Sequence, residues 1–288
     1  MLKKPFFSIV IPTLNEEKCL PILLDNLKDQ TYQDFEVIHV DGDSDDLTVS
    51  LAKKHSKKIK IKSFGVKKRN VSFQRNFGAQ KSRGQWVIFM DADTQIPAYF
   101  LDGIRYQLAK NPKTGVFTTW IKVNDQDAKI YQAVEKSINF GFELFKSIGQ
   151  EAAFGAMIGS HSSLLKKVSF EEDQKVYEDS RFLHQATQAG YVYSIFREPR
   201  YIYSLRRFKK EGNLKMASSV GMLVLQYLRG ADFSTQNYGY EMKGGGYYDI
   251  DDAPIDAPIF TRLNNYLKKA SENQLQHARN LLNSLKDI

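Results

Sequence analysis

The chain has 288 residues but a single cysteine, Cys19, and only eight prolines. One cysteine excludes an intrachain disulfide, leaves too few thiolates for a cysteine-based metal site, and fits a reducing cytoplasm. No apolar run reaches the roughly 18 to 20 residues needed to cross a bilayer. The N-terminal MLKKPFFSIVIP has a short apolar stretch that stops at proline, and it reads as a first core strand rather than a signal peptide. Internal repeats are also missing. What is present is a composition 42% hydrophobic and 12% aromatic, sufficient for a large core, so disorder of the whole chain is excluded. The net charge of +8 admits nucleic acid, an anionic membrane surface or negatively charged small substrates as partners. Lysines crowd the run AKKHSKKIKIKSFGVKKR, where Ile59, Ile61 and Phe64 keep a strand-like spacing; this reads as a solvated rim around a half-buried strand.

Along the first 120 residues, strand and helix patterns alternate. FFSIVIP is followed by a polar loop and then by Leu20, Leu23, Leu24 and Leu27 at helical spacing, with Pro21 requiring the helix to begin near Leu20. FEVIHV, IKIKSF, QWVIFM and GVFTTWIKV read as further strands, separated by helices through Ala52, over VSFQRNFGAQKS and after Pro97. Such alternation predicts a mostly parallel sheet covered by helices on both faces, with ligands beyond the carboxyl ends of its strands. The polar loops at 12–17, 41–46 and 91–95 all fall at that edge. Beyond residue 125 the pattern predicts a long helix over 128–148, a small-residue segment FGAMIGSHSS, a helix from Glu178 to Ala189, and two strands in YVYSIF and RYIYSL. This gives a domain over 1–205 and an extension over 206–288, the latter with helical patterns near 215–229 and toward the C-terminus around a glycine-rich patch.

The stretch VIFMDADTQIP is the most informative. An apolar strand ends in Asp91-Ala92-Asp93, and a turn can bring both carboxylates to one side. Hard oxygen ligands of this kind suit magnesium or manganese, which keep positions open for water and substrate phosphates. Asp-x-Asp alone is a weak signal; its place at a strand end, in line with two other acidic loops, strengthens it.

Taken together, IVIPTLNEE (9–17), VDGDSDDLT (40–48), Arg75-Asn76-x-Gly78 with Gly84 after it, FMDADTQ (89–95) and YEDSRF (177–182) resemble glycosyltransferase family 2, and do so in family order over roughly the first 205 residues. The resemblance implies an inverting, metal-dependent enzyme of GT-A fold, a Rossmann-like, mostly parallel sheet flanked by helices. It implies a UDP- or GDP-sugar as donor and Mn2+ or Mg2+ as cofactor. It also implies a nucleoside pocket at Pro12, Thr13, Asn15 and Glu16, with Glu16 toward the ribose and Asp41 toward the base. Arg75 would approach the nucleotide or its phosphates, and Asp91, Ala92 and Asp93 would form the Asp-x-Asp motif, with Gln95 a further oxygen ligand. Many relatives carry adjacent aspartates where this chain has Asp41-Gly42-Asp43. Glu178 and Asp179 would open a helix beneath the acceptor, Asp179 being the base that takes the proton from the attacking hydroxyl. Arg206 or Arg207 would close over the diphosphate, as planar guanidinium groups bind two phosphate oxygens at once.

Plainer readings stay open at this stage. Glu16 and Asp43 could cap helices, Arg75 could be an exposed helix residue, Asp179 an acidic first turn favoured by the helix dipole, Arg206 and Arg207 a basic surface turn, and His161 a hydrogen-bonded structural histidine. The apolar concentration of Ile138, Phe140, Phe142, Leu144, Phe145 and Ile148 fits core against the sheet or a surface dipping into lipid, and VGMLVLQYL raises the same choice. If the acceptor is a lipid-linked sugar or glycan precursor, peripheral attachment at the inner face of the cell membrane would follow. Two rival functions are a nucleotidyltransferase, which would show a glycine-rich phosphate loop where Pro12-Thr13-Leu14-Asn15 stands, and a nucleic-acid-binding protein. Acidic loops gathered at one edge would repel nucleic acid, so none is expected as partner.

Overall fold

The computed structural model describes residues 4–123, 129–147, 151, 156–174 and 178–204. The extension, with Arg206, Arg207 and the helices expected in it, lies outside the described residues. In chain order the elements are β1 (Phe7–Thr13), α1 (Leu20–Lys28), β2 (Phe35–Asp41), α2 (Thr48–His55), β3 (Ile61–Gly65), α3 (Val71–Lys81), β4 (Trp86–Met90), α4 (Phe100–Lys110), β5 (Thr114–Val123), α5 (Lys129–Ser147), β6 (Met157–His161), α6 (Glu178–Gln188) and β7 (Val192–Tyr203). The strands form one seven-stranded sheet in the order β3-β2-β1-β4-β6-β5-β7. β1 pairs in parallel with β2 and β4, and β2 with β3, so their carboxyl ends share an edge. β6 runs antiparallel to both its neighbours, while β5 and β7 are parallel to each other.

Every residue of β1, β2 and β4 is buried, because helices cover both faces. Alternation along the strands divides the core in two. Phe7, Ile9, Ile11, Ile88 and Met90 face the leucines of α1 and Phe100, Leu101 and Ile104 of α4, whereas Val10, Val87 and Phe89 face Phe182, Leu183 and Ala186 of α6. Pro21 stands in the first turn of α1, where its missing N–H costs nothing. The lysine-rich run lies on the edge strand β3 and its flanks, with Lys60 and Lys62 exposed and Ile61 and Phe64 half-buried, as the rim reading requires.

One expectation changes. YVYSIF and RYIYSL are not separate strands but the halves of β7, joined through an irregularity in which Thr119 pairs with Phe196 and Ile121 with Tyr201. The Arg197–Arg200 segment that looks like a loop in sequence is extra backbone on a continuous strand. In α5, Phe142 is buried and Ile138 packs against the core, so the core reading holds for these two. Asn139 explains the docking: its side chain accepts from the N–H of Ile121 (2.8 Å) and donates to its carbonyl (3.0 Å), replacing ladder partners at the irregularity. The side chains of Leu144, Phe145 and Ile148 lie outside the described residues. Among the described residues no helix is long and apolar enough to cross a membrane.

Beneath the carboxyl edge runs a buried polar chain. Ser63 Oγ lies 2.7 Å from His39 Nδ1, His39 Nε2 lies 2.8 Å from Thr13 Oγ1, and Thr13 Oγ1 donates to Asp41 at 3.0 Å. With the Thr13 hydroxyl proton on Asp41, Thr13 accepts from His39 Nε2–H and Nδ1 accepts from Ser63, which assigns a neutral imidazole. Burial lowers the His39 pKa from 6.5 to about 4, although the Asp41 charge pulls the other way. The unfolded chain therefore takes up this proton first, and the stability is complete above pH 6.5 and lost as pH falls toward 4. Urea titrations between pH 7.5 and 4 should show a loss of roughly 3 kcal/mol over that window, and His39→Gln should flatten it.

Candidate active site at the carboxyl edge

The loops after β1 and β2 are fastened to each other by their own polar side chains. The Asn15 N–H donates to Ser44 Oγ (2.8 Å), Asn15 Oδ1 accepts from the Asp45 N–H (2.9 Å), the Glu16 N–H donates to Thr48 Oγ1 (2.8 Å), and Glu17 accepts from the Leu47 N–H (3.1 Å). Asn15 and Asp43 adopt φ of 56° and 69°, the left-handed region that short polar side chains tolerate best. The Asp41 carboxylate accepts from Thr13, from the Ser44 N–H (2.9 Å) and from the Ser44 hydroxyl (2.6 Å). Pro12, Thr13, Glu16 and Asp41 are all buried, so their side chains support this loop pair from below, whereas Asn15 is partly exposed. Neither Glu16 nor Asp43 caps a helix: Cys19 and Leu47 hold the capping positions of α1 and α2, without side-chain caps.

α3 lies against this edge and each residue of Arg75-Asn76-x-Gly78 has a separate task. Gly78 faces β1 so closely that a Cβ there would stand 2.3 Å from Val10 Cγ1. Gln74 donates to the carbonyls of Thr13 (2.7 Å) and Val40 (2.9 Å), pinning the ends of β1 and β2. Asn76 donates to the Phe170 carbonyl (2.8 Å) and accepts from its N–H (2.9 Å). Phe170 in turn stacks on Phe182 of α6, with centroids 4.2 Å apart.

Arg75 is not an exposed helix residue: its side chain is 1% accessible. One terminal nitrogen donates to Asp91 Oδ1 and the other to Glu178 Oε1, both at 3.0 Å, while Phe170 lies under the guanidinium with its centroid 5.2 Å from Cζ. Burial would lower the Arg75 pKa, but the charges of Asp91, Glu178 and Asp179 outweigh it and raise the value. The Asp-x-Asp segment, the RNxG helix and the Glu-Asp helix therefore meet at one buried cation. A guanidinium so enclosed reaches a nucleotide only through the carboxylates it holds.

The segment after β4 is a tight turn. The Asp91 N–H donates to the Ala156 carbonyl (3.1 Å), the Thr94 N–H to the Asp91 carbonyl (3.0 Å), and the backbone of Gln95 pairs in both directions with Ile202 of β7. Asp91, Asp93 and Gln95 are partly exposed and Ala92 is buried beneath them. Asp91 is 37% accessible despite its ion pair, which leaves Oδ2 without a role in that contact. No group of three or more His, Cys, Asp or Glu side chains among the described residues forms a metal cage. Two partly exposed carboxylates on one tight turn fit instead a hard divalent cation, which takes few protein oxygens and fills its shell with water and diphosphate oxygens. At the opposite end of the sheet a buried carboxylate, Glu36, shows the contrast: it accepts from Ser8, from Lys62, and from the backbone and side chain of Arg83. Burial would raise its pKa, but these hydrogen bonds hold it below the usual value.

Glu178 and Asp179 open α6, and they differ. Glu178 is 3% exposed and committed to Arg75, whereas Asp179 is partly exposed and accepts from the N–H of Ser180 at 2.7 Å. His161 lies far from all of this: it pairs with Trp86 at the amino end of β4, hydrogen-bonds Ser163 and packs edge-on against the Trp86 ring, a structural histidine. Sequence reasoning missed Tyr201, whose fully buried hydroxyl has no hydrogen-bond partner among the described residues. Burial raises its pKa well above 10, with added contributions from Tyr203, Asp91 and Asp179, so it stays a donor. Asn76→Ala should remove both bonds to Phe170 and lower stability by about 1 to 3 kcal/mol in urea unfolding.

Comparison with known proteins bears on the family and the fold. The glycosyltransferase family 2 model matches residues 8–173. A PGL/p-HBAD biosynthesis glycosyltransferase of Mycobacterium bovis is 35% identical over 94 residues, 32% of this chain and 37% of that protein, so the match spans little more than a third of the relative. The poly(ribitol-phosphate) beta-N-acetylglucosaminyltransferase TarP of Staphylococcus aureus is 23% identical over 220 residues, covering 74% of this chain and 67% of the relative. Among solved structures, S. aureus TarS 1-349 in complex with UDP-GlcNAc superposes with a TM-score of 0.55 at 24% identity, over 78% of this chain and 67% of that one. The mannosyltransferase PcManGT of Pyrobaculum calidifontis, in complex with GDP-Man and Mn2+, gives 0.62 at 18% identity, over 99% and 74%. These likenesses identify the fold as GT-A, and they do not favour a nucleotidyltransferase or a nucleic-acid-binding protein. With ordered motifs at the carboxyl edge of the sheet and a family model spanning more than half its length, the chain belongs to glycosyltransferase family 2.

Proposed function

We propose that this protein is an inverting glycosyltransferase that moves a sugar from a UDP- or GDP-sugar to a hydroxyl of a glycan or lipid-linked acceptor. The observation that carries the reading is the meeting of Asp91, Glu178 and Asp179 around Arg75 at the open edge of the sheet. The fastened loops of Asn15 and Asp41 would take the nucleoside, with Asn15 the exposed member and Glu16, Pro12 and Thr13 shaping the floor. Asp91 and Asp93, with Gln95, would hold Mn2+ or Mg2+. Such an ion, when bound, supplies positive charge to the leaving diphosphate.

Transfer with inversion is a single displacement at the anomeric carbon. The acceptor oxygen forms the new bond as the bond to the diphosphate breaks, and a carboxylate takes the acceptor's proton. Glu178 is unsuited to that task because its charge is locked on Arg75 and its side chain is buried. Asp179, beside it and partly exposed, is the base in this reading. Arg206 and Arg207 are the candidate diphosphate clasp. Support for them is positional: Ile202 is fastened to Gln95, and the four and five residues of chain to Arg206 and Arg207 span at most about 14 and 18 Å.

Binding is tested by thermal shift with UDP, GDP and their sugars, with and without Mn2+ or Mg2+. A rise in melting temperature that requires both nucleotide and cation is expected. No rise with any nucleotide overturns the reading. Asp179→Asn should keep that rise and lose about 10²- to 10⁴-fold in nucleoside diphosphate release with a mixture of glycan acceptors. Wild-type turnover in that variant would remove Asp179 from the role.

A further inference from the structure

We propose that Arg75 is a positioning residue that links cation binding at Asp91 to the placement of the base on α6. This rests on the transferase reading above. Arg75 touches neither solvent nor any open surface, so it acts through its partners. By taking Oδ1 of Asp91 it leaves Oδ2 outside that contact, the atom that would serve a cation. By taking Oε1 of Glu178 it ties down the first turn of α6, and Asp179 is the next residue.

The side chain is well suited to transmit position because its own root is rigid. Gln74, Asn76 and Gly78 fasten α3 to β1, β2 and the Phe170 segment, and Phe170 supports both the guanidinium and Phe182 of α6. Arginine is required here, since its two terminal nitrogens reach two carboxylates along fixed directions. A lysine ammonium offers a point charge without that fork. Asp91 and Glu178 thus share one guanidinium through separate nitrogens, and a cation at Asp91 would compete with Arg75 for that carboxylate. Strengthening one contact of Arg75 slackens the other.

The test uses the full chain, with Mn2+ titrated at saturating UDP or GDP, whichever shifts the wild type, and melting temperature as readout. Arg75→Lys should raise the Mn2+ midpoint about 10- to 100-fold, as supporting residues around metal ligands do. At saturating Mn2+ its donor KM should return to wild type while kcat stays at least tenfold down. Glu178→Gln provides the second arm: it removes no cation ligand, yet by releasing Arg75 toward Asp91 it should raise the Mn2+ midpoint at least threefold, and it decides the matter if Arg75→Lys does not fold. A merely structural ion pair would lower the melting temperature without moving either midpoint, and that result overturns the proposal while leaving the transferase reading intact. A wild type whose nucleotide shift ignores Mn2+ overturns this proposal together with the cation assignment to Asp91 and Asp93, and no nucleotide shift at all overturns the transferase reading as well.

Discussion

A guanidinium buried between carboxylates from distant parts of the chain holds this active edge together. Arg75 and Glu178 are 103 residues apart in sequence, Arg75 and Asp91 only 16. Enclosing a charge this completely is costly unless it is paired on more than one side, and replacing such a set with apolar residues is often neutral or even stabilising. Its presence therefore argues more for geometry than for stability. What the pairing secures is a common origin for three segments that carry different chemistry: the turn after β4, the α3 helix, and the first turn of α6.

The surroundings follow the same logic at lower charge. Gln74 and Asn76 use amide groups to satisfy backbone carbonyls and an N–H at strand ends and in a loop, where no ladder partner exists. The loops after β1 and β2 use Asn15, Glu17, Ser44 and Thr48 for the same purpose. Polar residues in these stretches are therefore part of the structure that carries the proposed site. The carboxylates that stay partly accessible, Asp91, Asp93 and Asp179, are the ones whose positions the others maintain.

Much of this could be read from the residues. The alternating strands and helices, the start of α1 near Pro21, the acidic turn after an apolar strand and the Glu-Asp helix all depend on local patterns, and local patterns survive into the fold. Arg75 was legible as a motif member but not as a buried one, because it is a polar residue on a helix of weak amphipathicity and its partners come from far away in sequence. The bulged strand β7 failed for a related reason: Arg197-Glu198-Pro199-Arg200 has the composition of a turn, and only pairing with β5 keeps it in the sheet. The antiparallel direction of β6 could not be foreseen either, since Met157–His161 has the same apolar content whichever way it runs.

The short bridge between Gln95 and Ile202 carries a topological consequence. Because β7 is stitched to the acidic turn near its last residues, the strand ends beside the carboxylates of that turn. Any alteration in the length of β7, such as removal of its extra backbone at Arg197–Arg200, would pull on that stitch. The spacing of a surface bulge is thereby tied to the shape of the turn that presents Asp91 and Asp93, over a distance that side-chain contacts alone would not connect.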